Sequence, residues 1–119
     1  MPQINITVAK KLSDETKNAL QAELADNIGM IPGKKKEVLA VCVIDGCSFF
    51  KNAEPVDGAF IEVRIFKNTT EDARKKFTAF LFDMADRVLG VPADLLTINF
   101  IELPNWGSFG EYKTTLEQK

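Results

Sequence analysis

The first two residues, Met1 and Pro2, carry the first chemical possibility in this chain. Pro2 is small, so an aminopeptidase is expected to remove Met1 and leave a secondary amine as the chain terminus. A free α-amino group titrates at roughly 7.7–8.0, and burial lowers that value because it penalises the ammonium form. A rigid amine titrating near neutrality suits general-base work. The residues that would hold it follow at once. Ile4, Ile6 and Val8 alternate with Asn5 and Thr7, which is the period of a β-strand. A strand that begins at the terminus pins it, where most termini fray.

Other chemistry is sharply restricted. The sequence has no histidine, which excludes Ser-His-Asp and Cys-His devices and any His-ligated metal. A base must come from a carboxylate, lysine, tyrosine, cysteine or the terminal amine. Cys42 and Cys47 are the only cysteines, too few for a zinc site. Cys42 lies in the apolar run Val41-Cys42-Val43-Ile44 and is expected in the core. Neither thiol shows the electropositive, exposed setting that reactivity requires. No metal and no cofactor are expected.

At 119 residues the chain is expected to form one domain over residues 1–119, small enough to gain from oligomerisation. Fifteen basic residues against 17 acidic ones give a net charge of −2. No basic field argues for nucleic acid or an anionic membrane. No apolar run approaches the ~18 residues of a membrane span. The terminus has no charged-then-apolar leader, so a cytoplasmic location is expected, although leaderless export would leave no trace.

The elements that would position a terminal amine repeat. After the first strand, Ser13 is a good N-cap and Asp14 and Glu15 suit the positive end of a helix. Ala19, Leu20, Leu24 and Ile28 follow at helical spacing, ending near Gly29. Ile31-Pro32-Gly33 breaks the chain, and a second strand is expected from Val38 to Ile44. Asp45-Gly46 reads as a turn, Cys47 to Phe50 as a short edge strand, and Lys51 to Gly58 as a polar loop. The pattern then restarts. Ile61 to Phe66 alternates like the first strand, and Asn68 to Asp72 repeats the cap chemistry. Phe77, Phe80, Leu81, Met84, Val88 and Leu89 form a helical stripe ending at Gly90. Leu95 to Leu103 is the last long strand. The halves superpose with an offset of 57 (61 − 4): Ile4 on Ile61, Ile6 on Val63, Val8 on Ile65, Lys10 on Lys67, Asp26 on Asp83.

The chain therefore divides into two strand–helix–strand units, residues 1–58 and 59–119. A helical crossover makes the two strands of each unit parallel. With only two helices, both must cover one face of a four-stranded sheet, an α+β fold. The loops after Gly29 and Gly90 are expected to line a pocket. Val38–Ile44 and Ile98–Ile101 are too apolar for half-exposed strands, so contacts between copies are expected there. Arg64 and Glu102 are expected to pair across the sheet.

Pro2, the tandem repeat and the closing Glu102-Leu103-Pro104-Asn105-Trp106-Gly107-Ser108-Phe109-Gly110 resemble the tautomerase superfamily over nearly the whole chain. The resemblance implies a homotrimer whose active sites lie around Pro2 and are completed by a neighbouring subunit. It implies that Pro2 is a general base in keto–enol tautomerisation, or in other branches a cationic acid for decarboxylation or hydration. Lys34 falls where the branch of macrophage migration inhibitory factor has a lysine beside the proline. Phe66 falls at that branch's backbone contact, and Asn99 at its strand asparagine. Thr97 replaces a substrate-contacting tyrosine. Leu12 and Thr97 stand where oxalocrotonate tautomerase has arginines, which argues against a dicarboxylate substrate. The Cys-x-x-Cys of the mammalian cytokine is missing, which weakens a redox role. Trp106 is expected to wall an apolar pocket, whereas the rings of Phe66 and Phe109 are expected in core or interface. The pocket looks most similar to the migration-inhibitory-factor branch. It implies a tautomerase of phenylpyruvate-like 2-keto acids, with a decarboxylase, hydratase or non-enzymatic cytokine-like protein as alternatives.

Overall fold

The computed structural model describes residues 1–116. Strand β1 (Gln3–Val8) leads through helix α1 (Asp14–Asn27) to strand β2 (Ala40–Ile44). A small hairpin follows, β3 (Phe50–Lys51) with β4 (Glu54–Pro55), where an edge strand and a loop were expected. Strand β5 (Ala59–Phe66), helix α2 (Glu71–Met84) and strand β6 (Leu96–Leu103) repeat the first unit, and a second hairpin, β7 (Asn105–Ser108) with β8 (Glu111–Thr114), closes the chain.

The main sheet runs β2-β1-β5-β6. β1 is parallel to β2 and β5 to β6, while β1 and β5 are antiparallel. The sheet is thus mixed, and its centre joins the two repeats back to back. The 57-residue offset extends to the caps. The Ser13 hydroxyl accepts from the Thr16 N–H at 3.1 Å, and the Thr70 hydroxyl from the Ala73 N–H at 3.1 Å. Each cap satisfies a donor that the first helical turn leaves free. The α2 stripe runs on through a π-turn, Ala85–Leu89, and stops at Gly90 with φ 66, a conformation that glycine adopts without steric cost.

Both helices lie on one sheet face. Ile4, Ile6, Val8, Ile61, Val63 and Ile65 point into it and are buried with Leu20, Leu24, Phe77 and Leu81. The other face is open in the single chain. Cys42 is exposed there rather than buried, because only alternate residues of an edge strand can reach the helices. Ile44 is 58% and Phe60 46% exposed.

Arg64 and Glu102 do not pair with each other. Glu102 is in register with Ile65, on the helix face, whereas Arg64 is in register with Ile101, on the open face. Arg64 instead approaches Glu62 at 3.8 Å. Glu102 accepts from the Thr69 N–H at 2.6 Å and from Arg74 Nε at 2.9 Å, tying β6 to the start of α2. Burial alone would raise the Glu102 carboxyl, but Arg74 and the Thr69 N–H hold it below the ordinary value of 4.5. The contribution is therefore full above about pH 4.5 and fades as pH falls through the lowered value. Glu102→Gln is expected to cost about 2 kcal/mol at pH 7, the worth of a charge-assisted hydrogen bond. Urea unfolding should show that this deficit shrinks as pH falls below 4.

Candidate active site

Pro2 is buried at the N-terminal end of β1, one residue beyond the Gln3–Arg64 and Gln3–Ala40 pairs. Its carbonyl accepts from the Ala40 N–H at 2.9 Å. β1 lies between β2 and β5, so the start of the chain is fixed from both sides.

Lys34 reaches this end of the sheet from the loop after α1. Gly33, with φ 81, turns the chain, and the Lys34 N–H donates to the Ile31 carbonyl at 3.1 Å. The half-buried Lys34 side chain donates from Nζ to the Phe66 carbonyl at 3.2 Å. That oxygen is a neutral acceptor, so the cation keeps its charge and two further donors. Burial, and then the charge of Lys67, lower the Lys34 pKa. The terminal amine, on Met1 in the encoded chain, is likewise lowered by burial, then by Lys34, then by Lys113.

Pro2, Lys34 and the Phe66 backbone thus meet at one end of the sheet. Asn99 does not join them within one chain. It is in register with Glu62, four residues from Phe66 along β5, or about 13 Å at 3.3 Å per residue. It is exposed on the open face, in the same row as the Asn5–Glu62 hydrogen bond of 3.3 Å. Trp106 is half-buried in β7, opposite Lys113 of β8. Phe109 is 71% exposed at the turn of that hairpin, outside any core. Of the two loops expected to line a pocket, only the one after Gly29 lies at the Pro2 end. The antiparallel join of the repeats sends the loop after Gly90 to the other end, where Lys10 donates to the Leu89 and Gly90 carbonyls, both at 3.3 Å.

Lys67 and Lys113, whose charges act on Lys34 and on the terminal amine, were not among the residues expected here. Lys67 carried a usable signal as the counterpart of Lys10 in the repeat. Lys113 carried none, since its place depends on the fold of the closing hairpin. Among the described residues, no group of three or more Cys, Asp or Glu is placed to hold a metal ion. No helix among them is long and apolar enough to cross a membrane.

The family model "Macrophage migration inhibitory factor (MIF)" matches residues 1–116. The chain belongs to the macrophage migration inhibitory factor family. No curated protein matches it. Solved structures share its fold. Leishmania major MIF2 is 17% identical over 94% of this chain and 97% of its own, with a TM-score of 0.86. Pt0534, inactivated by 2-oxo-3-pentynoate, is 19% identical over 91% and 92%, with a TM-score of 0.81. A fused 4-OT asymmetric trimer is 17% identical over 92% and 94%, with a TM-score of 0.80. These identities show the fold alone. In this member of the macrophage migration inhibitory factor family, the four-stranded sheet sets a buried proline and a half-buried lysine at the same end.

Proposed function

We propose that this family member is a keto–enol tautomerase of small 2-keto acids, with Pro2 of the processed chain as general base. The observation that carries the proposal is the setting of Pro2, buried at the end of an inner strand, with the Lys34 ammonium held nearby by the Phe66 carbonyl. Removal of Met1, itself 47% exposed, would transfer the terminal nitrogen to this deeper position. Burial and the nearby lysines lower the amine at Met1 already, and the same causes would act on Pro2. Each of these causes favours the uncharged amine, which supports the base role over cationic-proline decarboxylation or hydration.

The Pro2 lone pair takes a proton from the carbon beside the 2-keto carbonyl. The electron pair shifts onto the carbonyl oxygen, and Lys34 donates to that oxygen or to the carboxylate as charge develops. Pro2 then returns its proton to complete the enol, or runs the sequence in reverse. Trp106 supplies an apolar wall for an aromatic substituent. No cofactor enters these steps.

The protein is proposed to work as a homotrimer. Ile44 and Phe60 leave apolar surface on the open sheet face. Asn99 is too far from Pro2 in its own chain and would reach a site only from a neighbouring copy. The fused 4-OT structure is itself a trimer. Pt0534 is inactivated by a 2-oxo acid, which supports the substrate class.

The test is ketonisation of phenylpyruvate enol, followed by loss of enol absorbance. Lys34→Ala is expected to lower kcat/KM about 10- to 100-fold, the worth of a charge-assisted hydrogen bond. Loss of that like charge should also move the acid limb of the pH–rate profile to higher pH. A variant with unaltered rate and profile would remove Lys34 from the site.

A further inference from the structure

The repeat places two equivalent lysines at opposite ends of the sheet, Lys10 and Lys67. Lys10 has a structural task, bonding the Leu89 and Gly90 carbonyls that end the α2 stripe. Lys67 has no hydrogen-bond or ion-pair partner for its ammonium among the described residues. It stands 5.5 Å from the centroid of the Phe66 ring, whose backbone carbonyl accepts from Lys34. Lys67 also has φ 71, a left-handed conformation that a β-carbon disfavours. The bond from its N–H to the Leu103 carbonyl, 3.0 Å, holds it there.

Next to Lys67 is a cavity of about 380 Å³ lined by Lys67, Asn68, Pro104 and Thr115. Its far side is the base of the β7–β8 hairpin, closed by the Thr115 N–H to the Pro104 carbonyl at 2.9 Å. Lys113 lies two residues back from Thr115, opposite Trp106. Among the described residues, Lys34, Lys67 and Lys113 take part in none of the ion pairs, whereas Arg74 and Arg87 each engage two carboxylates. Of the three lysines, Lys67 lines the cavity, Lys34 is bonded to the carbonyl of the preceding residue, Phe66, and Lys113 is two residues from the cavity-lining Thr115. Like charges gathered at one end of a fold repel one another, and a ligand with two negative charges relieves that repulsion. Burial is the first cause that lowers Lys34 and the terminal amine, and the repulsion adds to it, from Lys67 on Lys34 and from Lys34 and then Lys113 on the amine.

We propose that Lys67 and Lys113 form a second anion subsite beside Pro2 and Lys34, so that the preferred substrate is a 2-oxo dicarboxylate. Lys34 takes the oxygens next to the reacting carbon, and Lys67 with Lys113 takes the distal carboxylate. The proposal rests on the tautomerase reading of this site. It reverses the expectation drawn from Leu12 and Thr97, because lysines from the end of β5 and from β8 supply the charge.

The test compares wild type with Lys67→Ala, Lys113→Ala and the double variant. Turnover is measured on the enols of oxaloacetate and phenylpyruvate, and binding of fumarate and benzoate by calorimetry. Wild type should favour oxaloacetate and bind fumarate more tightly than benzoate. Each single substitution should lower the selectivity for oxaloacetate over phenylpyruvate, and for fumarate over benzoate, by about 5- to 10-fold. Turnover of phenylpyruvate alone, or equal losses on both enols, overturns the subsite and leaves the tautomerase reading standing. Lysine-dependent fumarate binding with no turnover of either enol keeps the subsite and overturns that reading. Absence of selective fumarate binding overturns the subsite whatever the turnover.

Discussion

Pro2→Gly is expected to lower kcat/KM for phenylpyruvate enol by about 10²- to 10⁴-fold, the usual worth of a positioned general base. Glycine is small enough for Met1 still to be removed, so an amine remains at the same chain position. What changes is its character. The ring that fixes the backbone at proline is lost, and a primary amine on a flexible residue no longer holds one direction. The fold should survive, because the contact that pins this residue is its carbonyl accepting from the Ala40 N–H, which glycine retains. Circular dichroism and intact mass would establish that the variant is folded and processed. Equal inertness of wild type and variant would end the tautomerase proposal. Equal activity would move the base elsewhere.

Phe77→Ala is expected to destabilise the protein by about 3–5 kcal/mol, the range for deleting a buried aromatic ring. Phe77 is 0% exposed and joins α2 to β6. Its ring lies 5.6 Å from Phe80 on the same helix and 6.5 Å from Phe100 on the strand. Ring deletion leaves a cavity between two elements that are each tied elsewhere, α2 through its cap and β6 through Glu102, so collapse around it is limited. Urea unfolding at one fixed protein concentration measures the loss, since association would add its own stability. A change below about 1 kcal/mol would mean that the helix does not pack on the sheet as described.

Much of this architecture was legible because it is local. The alternation of Ile4, Ile6 and Val8 and the caps at Ser13 and Thr70 need no distant partner to be read. The 57-residue offset turned one unit into two. The parallel pairing within each unit followed from the helical crossover. The relation between units was not legible. Nothing local states that β1 and β5 run antiparallel, and that one fact decides which loops share an end with Pro2. It removes the Gly90 loop from the site and brings in Lys67. Cys42 and Glu102 show the same limit at the scale of one residue. Whether each faces the helices depends on strand position and register, so an apolar run misplaced Cys42 and a pair of opposite charges misplaced Glu102. Lys113 was out of reach because its neighbours come from a hairpin whose register is set by turn geometry.

The charge state of the Pro2 nitrogen is the most direct test of the account. Protein labelled with nitrogen-15 at proline, with loss of Met1 checked by mass, can be titrated by NMR from pH 5 to 10. This nitrogen is expected to deprotonate below the ordinary α-amino value of 8.0, and Lys34→Ala to raise the midpoint. A midpoint well above 8 in the wild type, unmoved by loss of Lys34, would contradict it.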